Sequence, residues 1–219
     1  KHSTTTNLLE SLNDWTLSLS NRKSVLIAYV DFQKTFDSVS HPKLLHKLSG
    51  YGIHGNLLFW IGAFLTGRLQ QVKVGTKLSG PCPVTSGVPQ GSVVGRLLFN
   101  LFINDITDHL DPYVNSKMFA DDTKMYTELK NQNSTVNFQN QLDSICQWSI
   151  RWQLPISYTK CNLHYLGRQE ANGTLLTING NHLATSSFTK DLGVVIDPDL
   201  KFDLHINDLV ARAKQRAAI

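Results

Sequence analysis

The sequence predicts a mixed α/β or α+β chain with one large core, and three observations carry that expectation. Apolar residues recur at three- and four-residue spacing in some stretches and as short runs or alternations in others, with no internal repeat and no low-complexity tract. A chain of 219 residues can bury roughly 70% of its extended surface, so it needs neither disulfide nor metal to hold together. Charged residues make up 17%, below the roughly 25% of an ordinary soluble domain, while Leu, Ile, Val and Phe are plentiful. Disorder is thereby excluded, and some uncharged surface is expected to dock on sequence outside this stretch.

The elements follow in order. Thr5 or Thr6 caps a first helix bearing Leu8, Leu9, Leu12, Trp15 and Leu19. Val25 to Val30 is an apolar run of strand length that ends at Asp31 and delivers its carboxylate to the strand's C-terminal edge. Ser40 caps a helix with Pro42 in its first turn and Leu44, Leu45 and Leu48 along it, and the break from Gly50 to Gly55 precedes another helix through Phe64. Val72 and Val74 alternate with polar residues ahead of Gly75 and Gly80, as in a hairpin. Gly87-Val88-Pro89-Gln90-Gly91 must be irregular, and Ser92 caps a helix whose inner stripe is Val94, Leu98, Leu101 and Phe102. Met118 to Ala120 and Thr123 to Tyr126 read as two strands joined by a turn at Asp121-Asp122. Phe138, Leu142, Ile145 and Trp152 mark a later helix, and short strands run from Asn162 onward. His205 to Ile219 reads as a helix without a capping Gly, so both ends are expected to be cut.

The net charge of +4 permits a nucleic-acid partner without requiring one. Cys82, Cys146 and Cys161 form no CxxC pair, which argues against a zinc cluster or a disulfide framework and for a reducing compartment. The longest apolar run, Leu57 to Leu65, is interrupted by Gly62 and is too short to span a membrane. The opening Lys-His-Ser-Thr carries neither an initiator Met nor a signal-peptide core.

Three carboxylates can carry chemistry. Taken singly, an Asp after a strand is a turn or a cap, and Asp-Asp in a turn is solvated surface. Together they mean more, because an antiparallel hairpin beside a central strand would bring Asp31, Asp121 and Asp122 to one sheet edge. Mg²⁺ takes one or two protein carboxylates plus substrate phosphates, so this set suffices for phosphoryl chemistry. Two such ions about 4 Å apart can hold the attacking and leaving oxygens of an in-line displacement.

The string Tyr29-Val30-Asp31-Phe32-Gln33-Lys34-Thr35-Phe36-Asp37-Ser38-Val39 is followed by Gly87 to Ser92, Leu97 to Ile106, Phe119-Ala120-Asp121-Asp122, Thr159-Lys160-Cys161 and Asp191-Leu192-Gly193-Val194. In this order and at these spacings the chain resembles the LINE-like reverse transcriptases of non-LTR retrotransposons, most closely those of jockey- or CR1-type elements, over nearly its whole length. The resemblance implies an α+β right-hand polymerase palm over residues 1–219, with fingers and thumb incomplete and 160–219 leading towards the thumb. It implies an RNA-directed DNA polymerase that adds dNTPs to a DNA 3′ end on an RNA template. In it Asp31, Asp121 and Asp122 would bind two Mg²⁺ ions, with Mn²⁺ as the alternative. It further implies Lys160 near the leaving pyrophosphate, Phe32, Phe36, Gln90 and Gly91 at the nucleotide, and Leu192 and Gly193 as the primer grip. A ring at Phe36 would collide with a ribose 2′-OH and so favour deoxynucleotides. The glycine at 91 lets backbone approach the ligand. Asp37 matches an acidic position with no evident chemical role. Arg22, Lys23, Arg68, Lys73 and Lys77, with Tyr51 and Trp60, are candidates for a template and primer track.

The family's partners would be RNA template, DNA primer, dNTPs and the remaining fingers, thumb and endonuclease regions. A nuclear and cytoplasmic ribonucleoprotein is the expected setting, with no membrane. Two residues depart from the family pattern: Thr35 stands where alanine is usual, and Arg96 where proline is. The first must find a hydroxyl partner if buried, and the second must reach solvent or an anion. These departures sustain a rival expectation, a catalytically silent remnant that at most binds nucleic acid. An unrelated Mg²⁺ phosphohydrolase would explain neither the Pro-Gln-Gly loop nor Phe36.

Overall fold

The structure, a computed structural model, describes residues 3–108, 110–168 and 175–217. It begins with α1 (Thr4–Ser20), β1 (Ser24–Val30), α2 (His41–Gly50) and α3 (Gly55–Leu65). The short strands β2 (Leu69–Gln70), β3 (Lys73–Val74), β4 (Lys77–Leu78) and β5 (Cys82–Pro83) lead to α4 (Val93–Ile103) and a 3-10 turn at Asn104–Thr107. Strands β6 (Asn115–Phe119) and β7 (Asp122–Leu129), helix α5 (Gln132–Trp152) and β8 (Asn162–Leu166) follow. The chain continues through β9 (Thr177–Ile178), β10 (Asn181–His182), β11 (Ala184–Ser186), β12 (Thr189–Asp191) and β13 (Val194–Ile196) to α6 (Asp203–Ala217). Among the described residues no helix is long and apolar enough to cross a membrane.

The chain divides into two compact units. The first comprises Lys1–Asp31, Leu110–Cys146 and Ser157–Ile219; the second comprises Phe32–His109 and Gln147–Ile156.

The first unit is built on a five-stranded sheet of order β11-β8-β1-β7-β6, antiparallel except where β11 runs parallel to β8. Val25 to Ala28 and Val30 are all buried, which a strand accepts only in the middle of a sheet covered on both faces. Helix α1 covers one face through Trp15, whose ring meets Tyr126 edge-on at 5.6 Å, and the pair joins Val25, Ile27, Leu166 and Ile196 in one core. Its cap is Ser3, not Thr5 or Thr6. Ser3 Oγ accepts from the Thr6 N–H at 3.1 Å while Thr6 Oγ1 accepts from the Ser3 N–H at 2.7 Å, and this reciprocal pair satisfies two otherwise orphan donors. Leu9 faces outward.

The β6–β7 hairpin also differs by one residue from expectation. Phe119 pairs with Asp122, so the turn is Ala120-Asp121, with Ala120 at φ 54°, and Asp122 opens β7. Thr123 must pair with Val30 to keep Met125 buried opposite Ala28, and a one-residue slip would turn every side chain of β7 to the wrong face.

In the second unit α4 buries Gly95, Leu98, Phe99, Phe102 and Ile103, whereas Val94 and Leu101 are only partly covered. The inner face is thus rotated from the predicted stripe and takes in Gly95, where a Cβ would collide with the Pro89 carbonyl and Ser92 Oγ at the helix start. Ser92 caps this helix as expected, its Oγ accepting from the Gly95 N–H at 2.9 Å. The buried Lys47 amine donates to the Phe102 carbonyl and the Asp105 carboxylate and stands 3.8 Å from the Trp152 ring centroid. The predicted hairpin exists as β3–β4, and β2–β5 forms a second antiparallel pair outside it in sequence.

Candidate active site

Strand β1 is the axis of the site. Its register with β7 ends at Val30 opposite Thr123, and Asp31 and Asp122 directly follow and precede that last pair. Both line one cavity, and the Asp31 charge reaches Asp122. Asp121, in the turn, is half-buried beside them.

Asp31 is held by its own backbone. Its carbonyl accepts from the Ser157 N–H at 2.8 Å, and its N–H donates to Cys161 Sγ at 3.4 Å. The segment leading into β8 therefore clamps the residue, and the same segment carries Lys160. The Lys160 Nζ stands 3.6 Å from Asp31 Oδ1, an oxygen that is buried and has no hydrogen-bond partner.

Asp31, Asp122 and Lys160 line one cavity of about 140 Å³, together with Tyr29, Asn162, Asp191 and Leu192. Asp121 is not in its wall. Behind the exposed carboxylates lies a buried set that sequence reasoning missed. Lys124 Nζ donates to Asp191 Oδ2 at 2.6 Å, and Tyr29 Oη donates to the same oxygen at 3.4 Å. Lys124 lies two residues beyond Asp122 on the same face of β7, and that spacing was the available signal.

The electrostatics follow from this crowding. Partial desolvation, then the charges of Asp121, Asp191 and Asp31, raise the Asp122 carboxyl above the usual carboxylate range. Burial lowers the Lys124 ammonium, and Asp191 opposes that shift. Burial, then Asp191, pushes the Tyr29 phenol well up, so it stays a donor.

The residues fit a hard divalent cation. Asp31 Oδ1 is a buried oxygen that accepts no hydrogen bond, and a second carboxylate, Asp122, lines the same cavity. Among the described residues no three His, Cys, Asp or Glu side chains gather round one point. The carboxylates on offer, Asp31 and Asp122 in the cavity wall and Asp121 next to Asp122 in the turn, would be completed by substrate phosphates and water, which is the arrangement Mg²⁺ prefers.

Leu192 and Gly193 form the tip of the β12–β13 hairpin, and both have positive φ, 45° and 94°. Leu192 lines the cavity.

The other predicted residues belong to the second unit. Phe32 is buried, its ring edge-on to Trp148 at 6.3 Å, so its side chain is taken up by packing and not presented to a ligand. Phe36 is half-buried and stacks on Phe99 at 4.5 Å. Gln90 is exposed, and its Nε2 donates to Asp37 Oδ1 at 3.0 Å, which supplies Asp37 with a role: it orients the loop amide. Gly91 has φ 82° and open space where a Cβ would stand. Gly87 cannot carry a Cβ at all, since the atom would lie 2.8 Å from Asp37 Cα. Thr35 is buried and not without a partner, and Arg96 is exposed to solvent. Arg68, Lys73 and Lys77 of the predicted track are exposed; Lys23, in the first unit, is paired with Glu128 at 2.8 Å.

Residues 2–196 match the family described as reverse transcriptase (RNA-dependent DNA polymerase). The chain belongs to that family. This reverse transcriptase is 28% identical over 225 residues to the RNA-directed DNA polymerase from mobile element jockey of Drosophila melanogaster, a match covering 100% of this chain and 24% of that protein. It is 30% identical over 218 residues to the jockey polymerase of Drosophila funebris, covering 95% of this chain and again 24% of the relative. The resemblance to non-LTR enzymes is borne out, and the chain spans 24% of the length of each of these relatives. Among solved structures it is similar to apo telomerase from Candida tropicalis truncated from the C-terminal domain, with TM-score 0.59, 12% identity, and coverage of 91% of this chain and 38% of that one. It is also similar to telomerase from Candida albicans in complex with a fragment of telomeric RNA, with TM-score 0.57 and 14% identity, covering 90% of this chain and 35% of that one. At such identities the likeness is one of fold, and it agrees with an α+β palm.

Proposed function

We propose that this reverse transcriptase extends a DNA 3′ end by attack on a dNTP α-phosphate, copying an RNA template. The observation that carries the reading is that Asp31 and Asp122 line one cavity, with the buried Asp31 Oδ1, which accepts no hydrogen bond, facing Lys160. Asp31, Asp121 and Asp122 would hold two Mg²⁺ ions, or Mn²⁺ in their place. Bound there, the metal supplies Lewis-acid stabilisation of the phosphoryl oxygens and of the attacking hydroxyl.

The remaining work falls to side chains. Lys160, largely exposed and facing Asp31, would give charge or a proton to the departing pyrophosphate. Phe36, backed by Phe99, would exclude a 2′-OH, and Gln90, steadied by Asp37, would hydrogen-bond the nucleotide while Gly91 admits it to the backbone. Leu192 and Gly193 would bear on the primer strand.

Primer extension on an RNA template tests the reading. Wild-type chain is expected to give Mg²⁺-dependent product, and Asp121→Ala and Asp122→Ala none. A cooperatively folded wild type without product would leave the silent remnant in its place.

A further inference from the structure

The Lys124–Asp191 pair is the most buried ion pair among the described residues, with side-chain exposures of 4% and 5%. Such a pair adds little net stability, because desolvating two charges offsets most of their attraction. Its contribution is directional: one oxygen of Asp191 accepts from the Lys124 ammonium and the Tyr29 hydroxyl together.

Asp191 is the last residue of β12, directly before the hairpin tip. There Leu192 holds a left-handed backbone, φ 45°, which is unfavourable for a residue with a Cβ and persists only where the surroundings over-determine it. Two anchors do so. Thr189 Oγ1 donates to Asn162 Oδ1 at 2.9 Å on one side of the strand's length, and the Asp191 carboxylate is locked to β7 at its end. Through Lys124, the tip is tied to the same strand that presents Asp122.

We propose that Lys124 and Asp191 are a positioning pair for polymerisation, carrying the Leu192–Gly193 tip to the wall of the cavity that Asp31 and Asp122 share and thereby setting affinity for the strand end that is extended. The inference rests on the polymerase reading above. It separates two properties that a merely structural pair would couple, fold stability and affinity for the nucleic-acid end.

The test replaces the pair by apolar residues, Lys124→Met with Asp191→Leu, an exchange that buried ion pairs often tolerate. Three quantities are measured: the thermal midpoint, the Kd for a fluorescein-labelled DNA primer–RNA template hybrid by anisotropy, and the KM for dNTP. The double variant is expected to melt within a few degrees of wild type, bind the hybrid about tenfold more weakly and keep its dNTP KM. Unchanged hybrid Kd in a folded double variant overturns the proposal. Leu192→Gly covers the case in which the double variant does not fold, since glycine suits the left-handed tip. It is expected to weaken hybrid binding by a similar factor, and unchanged Kd there also overturns the proposal. A folded wild type that fails to bind the hybrid overturns the polymerase reading itself and this inference with it.

Discussion

Lys160 Nζ stands 3.6 Å from Asp31 Oδ1, and that oxygen is buried without a hydrogen bond. A flexible cation therefore hangs over a buried carboxylate oxygen that accepts no hydrogen bond. Lys160→Ala is expected to lower the single-nucleotide incorporation rate by about 10²-fold, the low end for loss of a proton donor. Lys160→Arg, which restores the charge, should recover part of it. Rapid-quench incorporation measures both.

Removing the buried oxygen has a different signature. Asp31→Asn keeps the shape of the β1 end and its backbone clamp from Ser157 and Cys161. It is expected to abolish extension and to weaken Mn²⁺ binding, read by water-proton relaxation, with the melting temperature unchanged. Mn²⁺ affinity equal to that of wild type would remove Asp31 from the ligand set.

Phe36 sits against Phe99 with its ring half-exposed. Phe36→Ala should reduce the preference for dNTP over rNTP by at least about tenfold in kcat/KM, or about 1.4 kcal/mol of discrimination. Competition between the two nucleotides in extension assays measures it.

Stability should depend on pH through Glu128. Its hydrogen bond from Lys23 lowers its carboxyl below the usual value, burial opposes this, and the Ser18 hydroxyl adds to the lowering. A carboxyl depressed by folding contributes stability above its unfolded value of about 4.3 and loses it as pH falls through the folded one. Glu128→Gln should therefore melt below wild type at pH 7, by about 2–4 °C at most for a partly exposed pair, and the gap should close by pH 3. Paired thermal melts at the two pH values decide it.

Thiol reactivity reports the clamp on Asp31. Burial pushes the Cys161 thiol up to about 11, with the Asp31 backbone touching it, while Cys82 is exposed. At pH 8 a disulfide reagent should label Cys82 in the folded chain and reach Cys161 only on unfolding. Mass spectrometry of labelled peptides distinguishes the two.

Local chemistry in the sequence settled a good deal. The apolar run before Asp31 could only be a covered strand, Ser92 before an apolar stripe could only cap a helix, and an acidic pair between alternating segments had to lie at a hairpin. These are properties of neighbours in the chain: period, capping and turn preference. Packing decided the rest. The cap moved to Ser3 and the inner face of α4 took in Gly95 through contacts only three to six residues away, whereas the turn moved to Ala120-Asp121 in a hairpin whose second strand is held in register by the distant β1. The Lys124–Asp191 pair shows why the division falls there. Neither residue differs locally from a surface charge, and each becomes obligatory to the other only when the fold takes both out of water.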